Sequence, residues 1–491
     1  MVRIRKNVLT LDARDDTLLW YGKAIAAMQK KLVADPSSWR YQAAIHDYTP
    51  GQDPNASTAD KLPSKADQKK FWMQCQHGSW YFLPWHRMYL HHFEQIVLAE
   101  LKKQGGPDTW ALPYWNYSAS ATAALLPAAF RNSSLPDGSP NPLFVAQRDA
   151  NANAGRAIAS AIDTDIKYCL NRTLFPGGNT GGSAGFGGPV TKFEHGGSIT
   201  GSTETVPHGT MHVAVGGPTG WMSAFNTAPL DPIFWLHHCN IDRLWEVWIQ
   251  RDPAHANPQT SNWLKSVSFP FHDAAGKVVA MTPSQVLNTQ AMPLQYAYDD
   301  TSDPLKPAAP VSAMAAAGSG KGAKTGKGKS MAVKGTTGRS MPEMVGATAT
   351  SFTLQKDVVE QPITLQKPTG PAMVNAAAVP RRVFLHIEAI TSDQRSVPYD
   401  VYLNLPPGAD PVHHPELRAG RLPMFGLVEA SQSGRKHPKN GLHYTIEITE
   451  LYQRLAAEPD WKPRNLRVSL VPTRTDGPAG AKVGRLSVYF E

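Results

Sequence analysis

"HGSWYFLPWHRMYLHHFE", residues 77–94, sets four histidines among tryptophans, tyrosines and phenylalanines, residues that ordinarily build a core. Burying an imidazole costs free energy unless a hydrogen bond or a metal satisfies it, so each ring needs a partner. A metal ion answers for several rings at once. The stretch runs on as "MYLHHFEQIVLAELKKQ", apolar at helical spacing until Gly105-Gly106 stop it, and is predicted as a helix.

Upstream, "DTLLWYGKAIAAMQKKL" (16–32) has the same periodicity, and residues 1–300 are predicted as a Trp-rich, mainly α core domain. Residues 120–205 are rich in Gly, Asn, Ser and Pro around "FPGGNTGGSAGFGG" (175–188), which predicts long surface loops of the kind that frame a site. The text then changes to "AAAGSGKGAKTGKGKSMAVKGTTGRS" (315–340), too poor in apolar residues to offset ordering entropy, and 301–379 reads as a flexible Ala/Gly/Lys-rich linker. Beyond it, "YTIEI" (444–448), "LRVSLV" (466–471) and "RLSVYF" (485–490) alternate between Pro and Gly breaks, predicting a C-terminal antiparallel β-sandwich domain at 380–491. The expected fold is mainly α, a helical bundle with long loops, plus that β-sandwich.

The net charge of +9 is concentrated in one place: residues 304–342 hold seven Lys or Arg and no acid. The rest of the chain is nearly neutral, which argues against nucleic acid as a partner. No window approaches the roughly 20 apolar residues of a membrane span, and the N-terminus lacks an uninterrupted apolar stretch, so the expectation is a soluble, cytoplasmic protein with no membrane partner. Cys75, Cys169 and Cys239 are too few and too far apart for a disulfide framework and fit a reducing compartment. Oligomerisation is left open.

Two further clusters repeat the opening question. "VPHGTMHVAVGG" (206–217) places His208 and His212 four apart, on one face of a helix if the segment is helical. "DPIFWLHHCNIDRLW" (231–245) again sets histidine among apolar residues. A zinc protease needs Glu inside its HxxxH, where this chain has Gly209, Thr210 and Met211. Carboxylates are scarce within the clusters, which disfavours a facial-triad iron site and leaves copper with all-nitrogen ligation.

These residues resemble the tyrosinase family, the type-3 dicopper proteins that include catechol oxidases and haemocyanins. One family signature is matched by His77, Phe82, Leu83, Trp85, His86, Arg87, Leu90 and Glu94, and a second by Asp231, Pro232, Phe234, Trp235, His238 and Asp242. "YAY" (296–298) looks like the tyrosine motif that closes the family's core domain. The resemblance implies two copper ions, O2 as co-substrate and small phenols as substrates. It assigns one copper to His77 and His86 plus His46, the sole histidine upstream of His77, and the other to His208, His212 and His238. His237 falls on an unconstrained signature position, and His91 and His92 are expected at the surface or behind the ligands. Cys75, in a Cys-x-His arrangement, is a candidate for a thioether to His77.

The activity implied is ortho-hydroxylation of monophenols and oxidation of o-diphenols to o-quinones, with catechol oxidase as the alternative and an oxygen carrier as the competing class. A single core domain without repeats argues against the large carriers. Glu204 matches a carboxylate that holds a water as base in plant members; Gly209 stands where some monophenolases have Asn; Phe225 aligns with a bulky gate residue of some catechol oxidases. The C-terminal domain resembles the one that covers the copper pocket in latent members, with Met424 and Phe425 of "RLPMFG" (421–426) as candidate plug residues.

Overall fold

The computed structural model describes the chain except residues 13, 52–59, 136–137, 162, 179–180, 307–341, 367–381, 435–436, 439, 460 and 462–465. Two long helices, Phe82–Lys103 and Ile233–Arg251, form its centre and pack on each other, with helix Thr17–Gln29 against the first. Every residue from Phe82 to Glu94 and from Ile233 to Trp245 is buried, so both helices are enclosed on all sides over those turns. A shorter helix, Trp39–His46, starts where Ser38 Oγ accepts the Tyr41 N–H at 3.1 Å and carries His46 in its last turn.

One ionic hub ties these helices to both ends of the helical part. Strand Arg3–Arg5 pairs in parallel with Tyr296–Tyr298. The Arg5 guanidinium donates to Glu94 at 2.9 Å and lies 3.6 Å over the Tyr296 ring. Asp242 accepts from Arg87 at 2.5 Å, from Tyr296 OH at 2.6 Å and from Tyr298 OH at 2.5 Å. Arg87, Glu94, Asp242 and the two tyrosines are thus held by one another, and each buried charge has an opposite partner.

The C-terminal part is two four-stranded antiparallel sheets. One runs Leu442–Glu447, Val383–Ile390, Arg485–Phe490, Glu343–Ala347; the other runs Arg418–Leu422, Tyr399–Leu403, Leu466–Pro472, Val359–Ile363. Alternate residues from both, such as Leu385, Ile387, Val401, Leu403, Val468 and Val488, fill a separate apolar core. The fold class is the one expected, an α core with an antiparallel β part.

Two expectations need correction. Residues 343–363, read as linker, supply edge strands Glu343–Ala347 and Val359–Ile363, so the β part begins well before 380; the Lys-rich 307–341 and residues 367–381 lie outside the described residues. The loops of 120–205 are not all at the surface: Phe175, Phe186 and His195 are buried, as is the whole run 200–213. Glycine makes that burial possible. Gly78 has φ +60°, and a Cβ there would lie 2.5 Å from the Gly197 carbonyl carbon, so two backbones meet where no side chain fits. Among the described residues, no helix is long and apolar enough to cross a membrane.

Candidate metal centre

The two long helices also carry the imidazoles. His86 lies one turn into the first, beside Arg87, and His238 lies one turn before Asp242 in the second. Their rings stack, centroids 4.4 Å apart at 11°. His46 arrives from the end of its short helix, and His77 from the turn ahead of Phe82. His208 sits in a π-type turn, Glu204–Gly209, broken at Val206 (φ −135°, ψ 123°), and His212 in helix Thr210–Gly216 that follows. Two groups result, each with donor atoms within 4.8 Å of one another: His46, His77, His86, and His208, His212, His237, His238.

Backbone carbonyls, which can only accept, decide the tautomers of four of these rings. Nδ1–H donates to Phe225 O from His46 (2.9 Å), to Phe82 O from His86 (2.8 Å), to Glu204 O from His208 (3.1 Å) and to Met222 O from His212 (2.7 Å). The lone pair is left on Nε2. The Nε2 atoms of His46, His86 and His208 are buried without a partner, as are both ring nitrogens of His77. Nε2 of His212 lies 3.3 Å from Nε2 of His238. A ring whose Nδ1–H is held by a carbonyl, with a bare Nε2 aimed at its neighbours, is the arrangement of a metal-binding histidine. Burial pushes all seven imidazoles down, His86 and His212 to about 3, so they are neutral at neutral pH and able to act as ligands. Imidazole without carboxylate suits copper, so the donor set fits that metal.

His237 has both nitrogens buried and unpaired, and its ring stacks toward His208 and Tyr117 (5.4 and 5.6 Å). His238 instead faces the upstream trio through His86. His91 and His92 are not at the surface: both are buried, with His92 Nε2 3.2 Å from Met281 Sδ. Cys75 Sγ lies 3.2 Å from Nδ1 of His195. His195 is a residue that sequence reasoning missed; it is fully buried, pairs by backbone with His77, and its Nε2 is 3.4 Å from Asp47.

Glu204 is buried, and its carboxylate accepts the Gly78 N–H at 2.9 and 3.0 Å. Burial pushes its carboxyl up to about 8 against the pull of the Gly78 and Gly201 N–H groups. Phe225 stacks on His77 at 4.1 Å and 23°. The β part closes the site. Among the described residues, Phe425 is the one β-part side chain in the buried apolar cluster of the helical core. Its ring stacks on His212 at 4.0 Å and 14° and lies 4.8 Å from Phe225. Met424 (φ 64°) and Gly426 (φ 78°) are both left-handed, a tight turn that projects Phe425. A Cβ on Gly426 would meet Phe225 at 2.6 Å. Met424, the other candidate, packs in the β core instead. What remains is a cavity of about 10 Å³ lined by His77, Glu204, Gly209, Phe225 and Phe425, the room one water needs rather than a phenol ring.

Comparison with known proteins decides the family. The family described as "Common central domain of tyrosinase" matches residues 36–251, and "Domain of unknown function (DUF7868)" matches 341–491. Tyrosinase HcTyr1 of Hahella sp. (strain CCB-MM4) is 34% identical over 512 residues, covering 100% of both chains. The chain belongs to the tyrosinase family. It is therefore a copper oxidoreductase, with two copper ions as cofactor and phenols as the family's substrates. A chloroplastic polyphenol oxidase of Malus domestica is 26% identical over 486 residues, covering 96% of this chain and 74% of the relative. In fold, the structure matches latent apple tyrosinase at a TM-score of 0.60 and 24% identity, over 100% of this chain and 97% of that one. Latent aurone synthase (polyphenol oxidase) matches at 0.63 and 22%, over 100% and 89%.

Proposed function

We propose that this chain is a tyrosinase, converting monophenols and o-diphenols to o-quinones with O2, and that its β part holds it latent. The carrying observation is the nest of six buried imidazoles with Phe425 stacked on one of them. His46, His77 and His86 hold one copper and His208, His212 and His238 the other. When bound, copper would supply the O2 chemistry: a monophenol plus O2 gives an o-quinone plus water, with O2 taking four electrons, and two o-diphenols plus O2 give two o-quinones and two waters.

The remaining work belongs to the chain. Glu204 holds a water in the small cavity and takes the phenol proton, with a carboxyl near 8 close enough to neutrality for general-base work. Phe225 flanks the substrate ring and steers it from the His77 side. Phe425 occupies the substrate position until the β part moves. Cys75 is kept as a candidate thioether partner of His77, read by an intact-mass deficit of two hydrogens.

Catechol oxidase remains the second reading, favoured by one observation. Gly209 offers no side chain to help Glu204 fix a water, and a Cβ there would lie 3.1 Å from Pro423 of the β part. Rates on L-tyrosine and on catechol, measured on copper-loaded protein after release of the β part, decide between them. Quinone from tyrosine without added diphenol supports tyrosinase; turnover of catechol alone makes it a catechol oxidase. Copper at two equivalents per chain is the companion measurement.

A further inference from the structure

Among the described residues, the β part carries a third group of metal-type ligands, outside the dicopper nest. His386 and Glu388 lie two apart on strand Val383–Ile390 and so face the same side of the sheet. The antiparallel register, with His386 opposite Thr445 and Ile387 opposite Tyr444, sets His443 across from Glu388 on the same face. One donor atom from each of His386, Glu388 and His443 lies within 4.8 Å of the others. That face docks on the helical part: His443 N–H donates to Ser198 O at 2.7 Å, and His386 Nε2–H to Gly182 O at 3.2 Å.

We propose that His386, Glu388 and His443 bind one borderline divalent cation of the Zn²⁺/Cu²⁺ class, at the seam between the sheet and the 182–198 loop.

The chemistry around the three residues is prepared for it. Because the Gly182 carbonyl can only accept, Nε2 of His386 carries the proton and the lone pair stays on Nδ1, the second-partner arrangement of metal-binding imidazoles. Arg485 holds Glu388 by Oε2 at 2.5 Å, orienting the carboxylate so that Oε1 faces His443 Nε2 at 3.9 Å. Ser487 Oγ also donates to Oε1 at 2.5 Å, which leaves that oxygen a further lone pair. His386 is 6% exposed, so its ring is enclosed at the seam. Two imidazoles and one carboxylate with room for water is a known Zn²⁺ donor set, with donors roughly 3.3 Å apart around the ion. The donors already lie within 4.8 Å of one another, with Glu388 Oε1 and His443 Nε2 at 3.9 Å, so closing on an ion takes a small side-chain movement that the 23%-exposed His443 side chain can make.

The test uses the full chain, saturated with copper and then dialysed against Zn²⁺, with both metals counted by mass spectrometry. Two equivalents of copper and one of zinc are expected. His386→Ala and His443→Ala should each weaken zinc binding more than tenfold while copper stays at two. A further copper equivalent lost with the same substitutions supports the site equally. No equivalent beyond the two coppers, or one that survives both substitutions, overturns it. Should the variants fail to fold, Co²⁺ added to the unmodified copper-loaded chain reads the same site: visible d–d bands of a low-coordinate N/O site are required, and their absence overturns the proposal.

Discussion

The same two helices carry two buried polar assemblies that could hardly be more differently finished. In the ionic hub every group is saturated: Arg5, Arg87, Glu94, Asp242 and the two tyrosines satisfy one another. One residue along from Arg87, and one turn along from Asp242, the imidazoles of His86 and His238 begin an assembly whose inward nitrogens are bare. A saturated polar cluster stabilises the fold, whereas a cluster with its lone pairs withheld is unfinished until something binds. The contrast separates two kinds of signature residue: Arg87, Glu94 and Asp242 hold the helices in register, and the histidines use that register.

The sharpest way to break the contrast is to remove one member of each assembly. His86→Ala or His238→Ala should reduce phenol oxidation to background and copper below two per chain, with a smaller loss of apo-protein stability than loss of a hub charge brings, since His86 gives up its neutral Nδ1–H bond to Phe82 O and its Nε2 has none to lose. Retained turnover would sink the ligand assignment. His237→Ala should keep both coppers; if it empties one position, the choice within the His237-His238 pair is wrong. Asp242→Asn should do the reverse, leaving two arginines without their shared carboxylate and costing about 3–5 kcal/mol of stability, read by denaturant unfolding. A midpoint unchanged in the variant would show that the hub is not what ties the helices.

Phe425 covers only the unfinished assembly, and its removal should have the next largest effect. Phe425→Ala opens the space over His212 while the ion pairs Arg421–Asp163 and Arg474–Asp149 keep the β part docked. The intact variant should oxidise small phenols on the order of tenfold faster than the parent, since a single buried aromatic contact is worth about 1.5 kcal/mol beyond its area. Equal rates in the two would move the block from Phe425 to the β part as a whole.

How far the sequence could be read followed the same division. Signature histidines were legible because they lie at fixed sequence intervals, His86 and His238 on the long helices and His77 in the turn just ahead of one. His46 was reachable only as the one histidine upstream, and the structure sets it beside His77, ring centroids 5.1 Å apart. His195 gave no signal: it sits in a glycine-rich loop whose burial depends on backbone contacts such as Gly78 against Gly197, which no periodicity records. The edge strands at 343–363 were missed because "EMVGA" and "VEQPI" are short, poorly alternating, and follow a Lys/Gly-rich stretch. Phe425 could be named as a candidate but not separated from Met424, since the choice rests on two left-handed residues around it.

The smallest effect tests how the β part reaches the nest through the backbone. Glu429 accepts the Phe225 N–H at 3.4 Å, and the Phe225 carbonyl takes the Nδ1–H of His46. Burial and the nearby Asp47 push the Glu429 carboxyl from 4.5 up to about 7, with the Phe225 N–H and Arg395 pulling the other way. A carboxyl that holds its proton better when docked favours docking at low pH. Docking is therefore strongest below pH 4.5, weakens as pH rises to about 7, and is flat above that. Partial solvent contact of the side chain discounts the full shift to about a tenfold change in the docking equilibrium. The rate of the parent divided by that of Phe425→Ala, both intact, cancels the titration of Glu204 and isolates docking. That ratio should climb across the window and lie flat in Glu429→Gln; a climb that persists in Glu429→Gln would assign the pH dependence to another group at the seam.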